Sequence, residues 1–265
     1  MDDYIKINKA LWNKKTSIHL NSSFYDNDSF MKGKTSLKEI ELDLLGDLKG
    51  KKILHLQCHF GQDTLSLARM GARVTGVDLA DKAIDQAKKM AKQLGLESQA
   101  SFICCDVLEL DQFLKDEFDI IFSSYGTIGW LPKIEKWGQL IAHFLKPNGQ
   151  FIFAEFHPFV WMLDDDFKQL EYPYFNKKTF YEEYTNSYTD GKGHEPIMGY
   201  SWNHPISEVL QVLLANGLQI QDFQEYDYSP YDCFPNTVKH KKGFQLKGFE
   251  GKLPMVYALV AEKKK

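Results

Sequence analysis

The chain has 265 residues, a formal net charge of −4 and a pI near 6.1, with 43% apolar and 26% charged residues. That is ordinary for a globular protein with its own core, and the acidic balance speaks against a dedicated nucleic-acid binder. No stretch approaches the roughly 18 apolar residues of a membrane span. No basic-then-apolar leader opens the chain. Cys58, Cys104, Cys105 and Cys233 form no C-x-x-C pair, so free thiols in a reduced, cytoplasmic setting are expected. The unusual value is an aromatic share of 14%.

Residues 1–45 read as a helical and irregular N-terminal cap, with Trp12–Phe30 irregular. Residues 46–265 read as the main domain. Residues 51–57 are a short apolar strand. Residues 62–70 have helical spacing at Leu65, Ala68 and Met70, with Gly71 as a stop. Arg73–Val77 is a second strand. Asp81–Leu94 carries an apolar stripe of period 3.6, capped by Asp81 and ended by Gly95. Ala100–Cys104 and Phe118–Ser123 are further strands. A helix marked by Ile134, Trp137, Ile141 and Phe144 then leads through the turn Lys146-Pro147-Asn148-Gly149 to the strand Gln150–Phe156.

Five strands alternating with helices predict a doubly wound α/β fold built on a parallel sheet. Such sheets bind ligands beyond the carboxyl ends of their strands, where the strand order reverses. The alternation stops at residue 157. Ser207–Ala215 is a helix, and Leu218–Tyr226 and Met255–Glu262 are strands. The link between those two lacks a crossover helix, so they are expected to be antiparallel neighbours.

The first strand runs into His55-Leu56-Gln57-Cys58-His59-Phe60-Gly61. A pyrophosphate cradle wants three glycines, and only Gly61 is present, with Gln57 and His59 where two others would stand. Asp78 ends the second strand, 17 residues past Gly61, and suits the two hydroxyls of a ribose. Asp106 follows the third strand, where it or its backbone can take an adenine amine while Val107 packs on the ring. A helix cap or a turn is the plainer role for either aspartate.

Taken together, 52–61, Val74-Thr-Gly-Val-Asp-Leu79, Cys105-Asp-Val107, Phe118-Asp-Ile-Ile-Phe122 and Leu145-Lys-Pro-Asn-Gly149 resemble the class I S-adenosylmethionine-dependent methyltransferases. Within them, the loop is similar to that of uncharacterised bacterial members of small-molecule type. The resemblance implies a Rossmann-like, mostly parallel seven-stranded sheet with an antiparallel terminal strand. It implies S-adenosyl-L-methionine as cofactor and S-adenosyl-L-homocysteine as product. It places the methionine part at Gln57, Cys58, His59 and Gly61, the ribose at Asp78 with Leu79 beside the adenine, the base at Asp106 and Val107, and Ser123 near the methionine amino group. It departs from the family at His55, where an acidic residue is common, and at Gln57 and His59.

Methyl transfer by in-line displacement chiefly needs alignment of the acceptor. Where an acceptor oxygen or nitrogen needs a base, His157 and Glu155 at the end of the fifth strand are the candidates; packing of the turn before Pro158 competes with that role. No metal site is expected, because His55 and His59 lie on a strand and a turn. Residues 159–202 hold 12 aromatics in 44 positions, about twice the chain's average. This aromatic-rich insertion, 158–205, reads as a substrate lid over a small-molecule acceptor, or else as a subdomain or homodimer interface. Tyr125, Trp130, Trp12, His19 and Tyr25 would close the other side. The expected activity is methyl transfer to a small molecule. A nicotinamide-dependent oxidoreductase and a non-catalytic S-adenosylmethionine-binding protein are the rivals. No nucleic-acid or membrane partner is expected.

Overall fold

The computed structural model describes residues 3–175, 177–185, 187–189 and 195–264. The N-terminal region supplies α1 (Asp3–His19), α2 (Asn27–Met31) and α3 (Glu39–Leu45). The alternating part supplies β1 (Lys52–Leu56), α4 (Gln62–Arg69), β2 (Arg73–Asp78), α5 (Asp81–Gln93), β3 (Ala100–Cys104), β4 (Phe118–Ser124), α6 (Ile134–Phe144) and β5 (Leu145–Phe156). A hairpin of β6 (Phe180–Tyr184) and β7 (Ile197–Ser201) follows, then α7 (Ile206–Ala215) and β8 (Leu218–Tyr226). A second hairpin, β9 (Thr237–His240) and β10 (Gly243–Leu246), precedes the final strand β11 (Val256–Lys263).

The main sheet has the order β3-β2-β1-β4-β5-β11-β8. The first five strands are parallel, and β11 is inserted antiparallel to both β5 and β8. Successive residues along the central strands serve opposite faces, as a two-sided sheet requires. Ile53, Ile120 and Ile152 pack with α4 and α5; Leu54, Ile121 and Phe151 pack with α6 and α7. Order reversal between β1 and β4 opens a crevice at their carboxyl ends. Among the described residues, no helix is long and apolar enough to cross a membrane.

Three local expectations change. The segment expected to be irregular from Trp12 is helical as far as His19. Asn8, Lys15, Thr16 and His19 are all buried, so the inner face of α1 is polar and gives no apolar stripe. Asp81 is the first residue inside α5 rather than its cap; its carboxylate pairs with Lys9 (3.1 Å) and Asn13 (2.9 Å) of α1. The turn 146–149 lies within β5, whose pairing with β4 is irregular there.

Candidate active site

The loop between β1 and α4 makes its turn with side chains where glycine is the easy choice. Gln57 and His59 take left-handed backbone angles, φ +54° and +50°, and Gly61 has φ +83°. At Gly61 a Cβ atom would lie 2.9 Å from both Ala87 Cβ and the Phe102 ring, so only glycine lets α4 approach α5 and β3 here. Cys58 N–H donates to Val77 O (2.8 Å), tying the loop to β2.

Asp78, at the end of β2, accepts from His59 N–H and Ala80 N–H, both at 2.8 Å. Burial pushes its carboxyl up to about 6, against the pull of those backbone donors. Asp106 accepts from Leu108 N–H (2.9 Å) and from the Tyr4 hydroxyl (2.9 Å), which brings α1 over the end of β3. His55, in the position where the family often has an acid, is buried under α4. It lies 2.8 Å from Thr64 Oγ1, and burial lowers it to about 4.

One cavity of about 630 Å³ runs along these strand ends. Gln57, Cys58, His59, Gly61, Asp78, Leu79, Asp106, Val107 and Glu155 all line it. Trp12, Tyr25, Tyr125 and Trp130 line it as well, and so do Trp161, Tyr172, Tyr184 and Tyr188 from the aromatic segment. His19 stands one layer behind, with Nδ1 2.7 Å from His59 Nε2.

Ser123 and His157 are not among the lining residues. Ser123 is fully buried and donates to Thr127 Oγ1 (3.1 Å); its neighbour Ser124 reaches the cavity and donates to Asp63 (3.2 Å). His157 Nδ1 accepts from Phe159 N–H (3.1 Å), which leaves its Nε2 to donate to Glu225 (2.9 Å). Burial lowers the imidazole, with Glu225 opposing the shift. The Glu155 carboxylate accepts from the backbone of Gly126, Thr127 (2.7 Å), Ile128 (3.2 Å) and Phe156 (2.7 Å). It holds the loop after β4 in place.

Several cavity residues carried no usable sequence signal. Tyr4, Asn8 and Lys15 lie on a helix whose buried face is polar. Tyr231 and Phe234 come from the β8–β9 connection, where the run Tyr228-Ser-Pro-Tyr-Asp-Cys-Phe-Pro235 was the available hint. Asp63 sits in the first turn of α4.

Residues 53–149 match the family model described as a methyltransferase domain. An uncharacterized protein of Haemophilus influenzae is 31% identical over 175 residues, covering 57% of this chain and 67% of the relative. A ubiquinone biosynthesis O-methyltransferase of Coxiella burnetii is 34% identical over 118 residues, covering 44% of this chain and 48% of the relative. The chain belongs to the class I S-adenosylmethionine-dependent methyltransferases. The solved methyltransferase from Mesorhizobium loti shares the fold: TM-score 0.57 at 17% identity, covering 88% of this chain and all of that one. The matched stretch is about half the length of the Coxiella relative.

S-adenosylmethionine is the cofactor of this methyltransferase family, and the cavity suits it. The carboxylate of Asp78 keeps lone pairs beyond its two backbone donors. Gln57 Nε2 donates to Thr127 O (2.8 Å), while its Oε1 is buried without a partner among the described residues. A buried acceptor left unmet costs ~1–3 kcal/mol, and the ammonium of an amino acid would meet it.

Proposed function

We propose that this protein transfers the methyl group of S-adenosylmethionine to a small, flat or apolar acceptor by in-line displacement. One observation carries the reading: the cofactor rim of Gly61, Asp78 and Asp106 and the aromatic wall of 12, 130, 161, 184 and 231 line the same cavity. The cofactor supplies an activated methyl group on a sulfonium. The chain's own residues bind and orient. Asp78 takes the ribose, Asp106 and Val107 the base, and Gln57 to Gly61 the amino-acid end. The aromatic segment 158–205 acts as a lid that excludes water and stacks on the acceptor.

The catalysis we assign is alignment, without a dedicated base at the end of β5. Glu155 is occupied by backbone donors, and His157 faces Glu225 outside the cavity lining. A loop with one glycine and an inserted antiparallel strand count against a nicotinamide enzyme. The unpaired, buried Cys58 and Cys105 suit a reducing, cytoplasmic compartment.

Calorimetry with S-adenosylhomocysteine, followed by label transfer from methyl-labelled cofactor to a panel of aromatic and terpenoid acceptors, tests the reading. Binding with transfer to at least one acceptor is expected. No binding at millimolar concentration overturns it.

A further inference from the structure

Lys15 projects from α1 into the cavity and is only 5% exposed. Its Nζ lies 5.0 Å from the ring centre of Trp12, 5.2 Å from Trp130 and 4.6 Å from Tyr184. Three ring faces attract a cation but accept no strong hydrogen bond. Among the described residues no carboxylate lies within ion-pair distance of this ammonium and no acceptor oxygen takes one of its protons. The nearest titratable groups, His19, His59 and Tyr184, bring no negative charge: burial pushes both imidazoles low and the phenol up to about 12. Lys15 is thus a buried charge with an open demand for an anion.

The complementary demand is close by. Gln57 Oε1 is buried and takes no hydrogen bond from the described residues. Its own Nε2 donates to Thr127 O, and Trp130 N–H donates to that same carbonyl (3.2 Å). Lys15 stands on the ring of Trp130, so both unmet groups flank one short turn. Helix α1 also sets a ruler. Tyr4 touches Asp106 at the expected base position, and eleven residues further on comes Lys15. At 1.5 Å per residue that is about 16 Å, the length scale of a nucleoside with an amino-acid tail.

The geometry points to a zwitterion receptor in which Lys15 binds the carboxylate of the cofactor's methionine end and Gln57 Oε1 accepts from its ammonium. The inference rests on the cofactor reading above and adds to it. Lys15 lies outside the 53–149 segment that matches the methyltransferase domain. The helix therefore provides anion recognition to a loop whose positive-φ positions carry the side chains of Gln57 and His59 rather than open glycine backbone.

The test compares two ligands by calorimetry on the full chain. S-adenosylhomocysteine carries the amino-acid end, whereas 5′-methylthioadenosine has the same nucleoside and thioether without it. Lys15→Met is expected to weaken S-adenosylhomocysteine tenfold or more and to leave methylthioadenosine within twofold. On the wild type, S-adenosylhomocysteine methyl ester is expected to bind at least tenfold more weakly than the free acid, a measurement that needs no variant. Undiminished binding of S-adenosylhomocysteine to Lys15→Met, equal weakening of both ligands, or equal binding of acid and ester overturns the Lys15 assignment alone. A wild type that binds neither nucleoside overturns the cofactor reading itself.

Discussion

His19 Nδ1 and His59 Nε2 lie 2.7 Å apart, joining the N-terminal helix to the loop that follows the first strand. The far nitrogen of His19 is 2.7 Å from Ser187 Oγ. Two imidazoles at this distance share one proton, so at least one ring must stay neutral to accept it, and the contact fails once both rings are protonated. Burial is the main cause that lowers them, His19 to about 2 and His59 to about 3, with the Lys15 ammonium lowering each further. Their folded values lie below the usual 6.5, so the unfolded chain binds more protons as pH falls. The contribution of this pair is complete above about pH 6.5 and is lost progressively below it. The protection of the α1 amides, measured against the intrinsic exchange rate at each pH, is expected to fall between pH 6.5 and 4.5, and His19→Gln is expected to flatten that dependence.

Glu41 makes the opposite prediction. It is fully buried in α3, accepts from the Tyr125 hydroxyl (2.8 Å) and reaches back to Lys38 N–H (3.2 Å). Burial raises its carboxyl to about 7, and Asp63 adds to the rise. The folded state therefore holds a proton that the unfolded state releases, and stability falls as pH rises from about 4.5 to 7. At 1.36 kcal/mol per pH unit the upper bound is about 3 kcal/mol. Denaturant titrations at pH 5 and pH 8 are expected to show Glu41→Gln gaining on the wild type at the higher pH.

Asp78→Ala is expected to weaken S-adenosylhomocysteine by about 1.5–3 kcal/mol, the range for hydrogen bonds to a charged group. The same change frees His59 N–H and Ala80 N–H, so a lower melting temperature accompanies it. Unchanged affinity by calorimetry would show that the ribose is held elsewhere.

Glu155 and His157 separate structure from chemistry. Glu155→Gln turns an amide N–H₂ toward backbone donors that now meet a carboxylate, and a loss of about 1–3 kcal/mol in chemical denaturation is expected. His157→Gln is expected to lower the melting temperature while leaving kcat within threefold, because the ring serves Phe159 and Glu225. A hundredfold drop in kcat for His157→Gln with the fold intact would restore the histidine as a base.

The sheet was legible because its strands and helices announce themselves by periodicity, and Gly71 and Gly95 adopt the positive φ that ends a helix. The antiparallel pairing of β8 and β11 was legible from a link too poor in helix to cross over, whereas the insertion of β11 beside β5 was implied by the family resemblance. The strand-end positions of Asp78 and Asp106, both of which line the cavity, were legible by counting; their role toward a cofactor is the proposal made above. The helix carrying Lys15 was not legible. Its buried face satisfies hydrogen bonds, as where Asn8 exchanges a pair with Tyr200 (2.8 and 2.9 Å), and such a face looks like solvent-exposed sequence. Ser123 and Ser124 alternate sides of a strand, and the strand's end fixes which of them reaches the cavity only once its register is known.

The left-handed angles at Gln57 and His59 bear on what such a loop demands of its residues. Each non-glycine residue in that region costs roughly 1–2 kcal/mol relative to the right-handed form. Each also enters folding with less backbone freedom to lose than a glycine would. The turn is therefore stiffer than a glycine turn would be, and its side chains reach Thr127 and His19. The turn here requires the positive torsion angle rather than the glycine letter, so a reading keyed to three glycines misses a loop that makes the same turn with side chains.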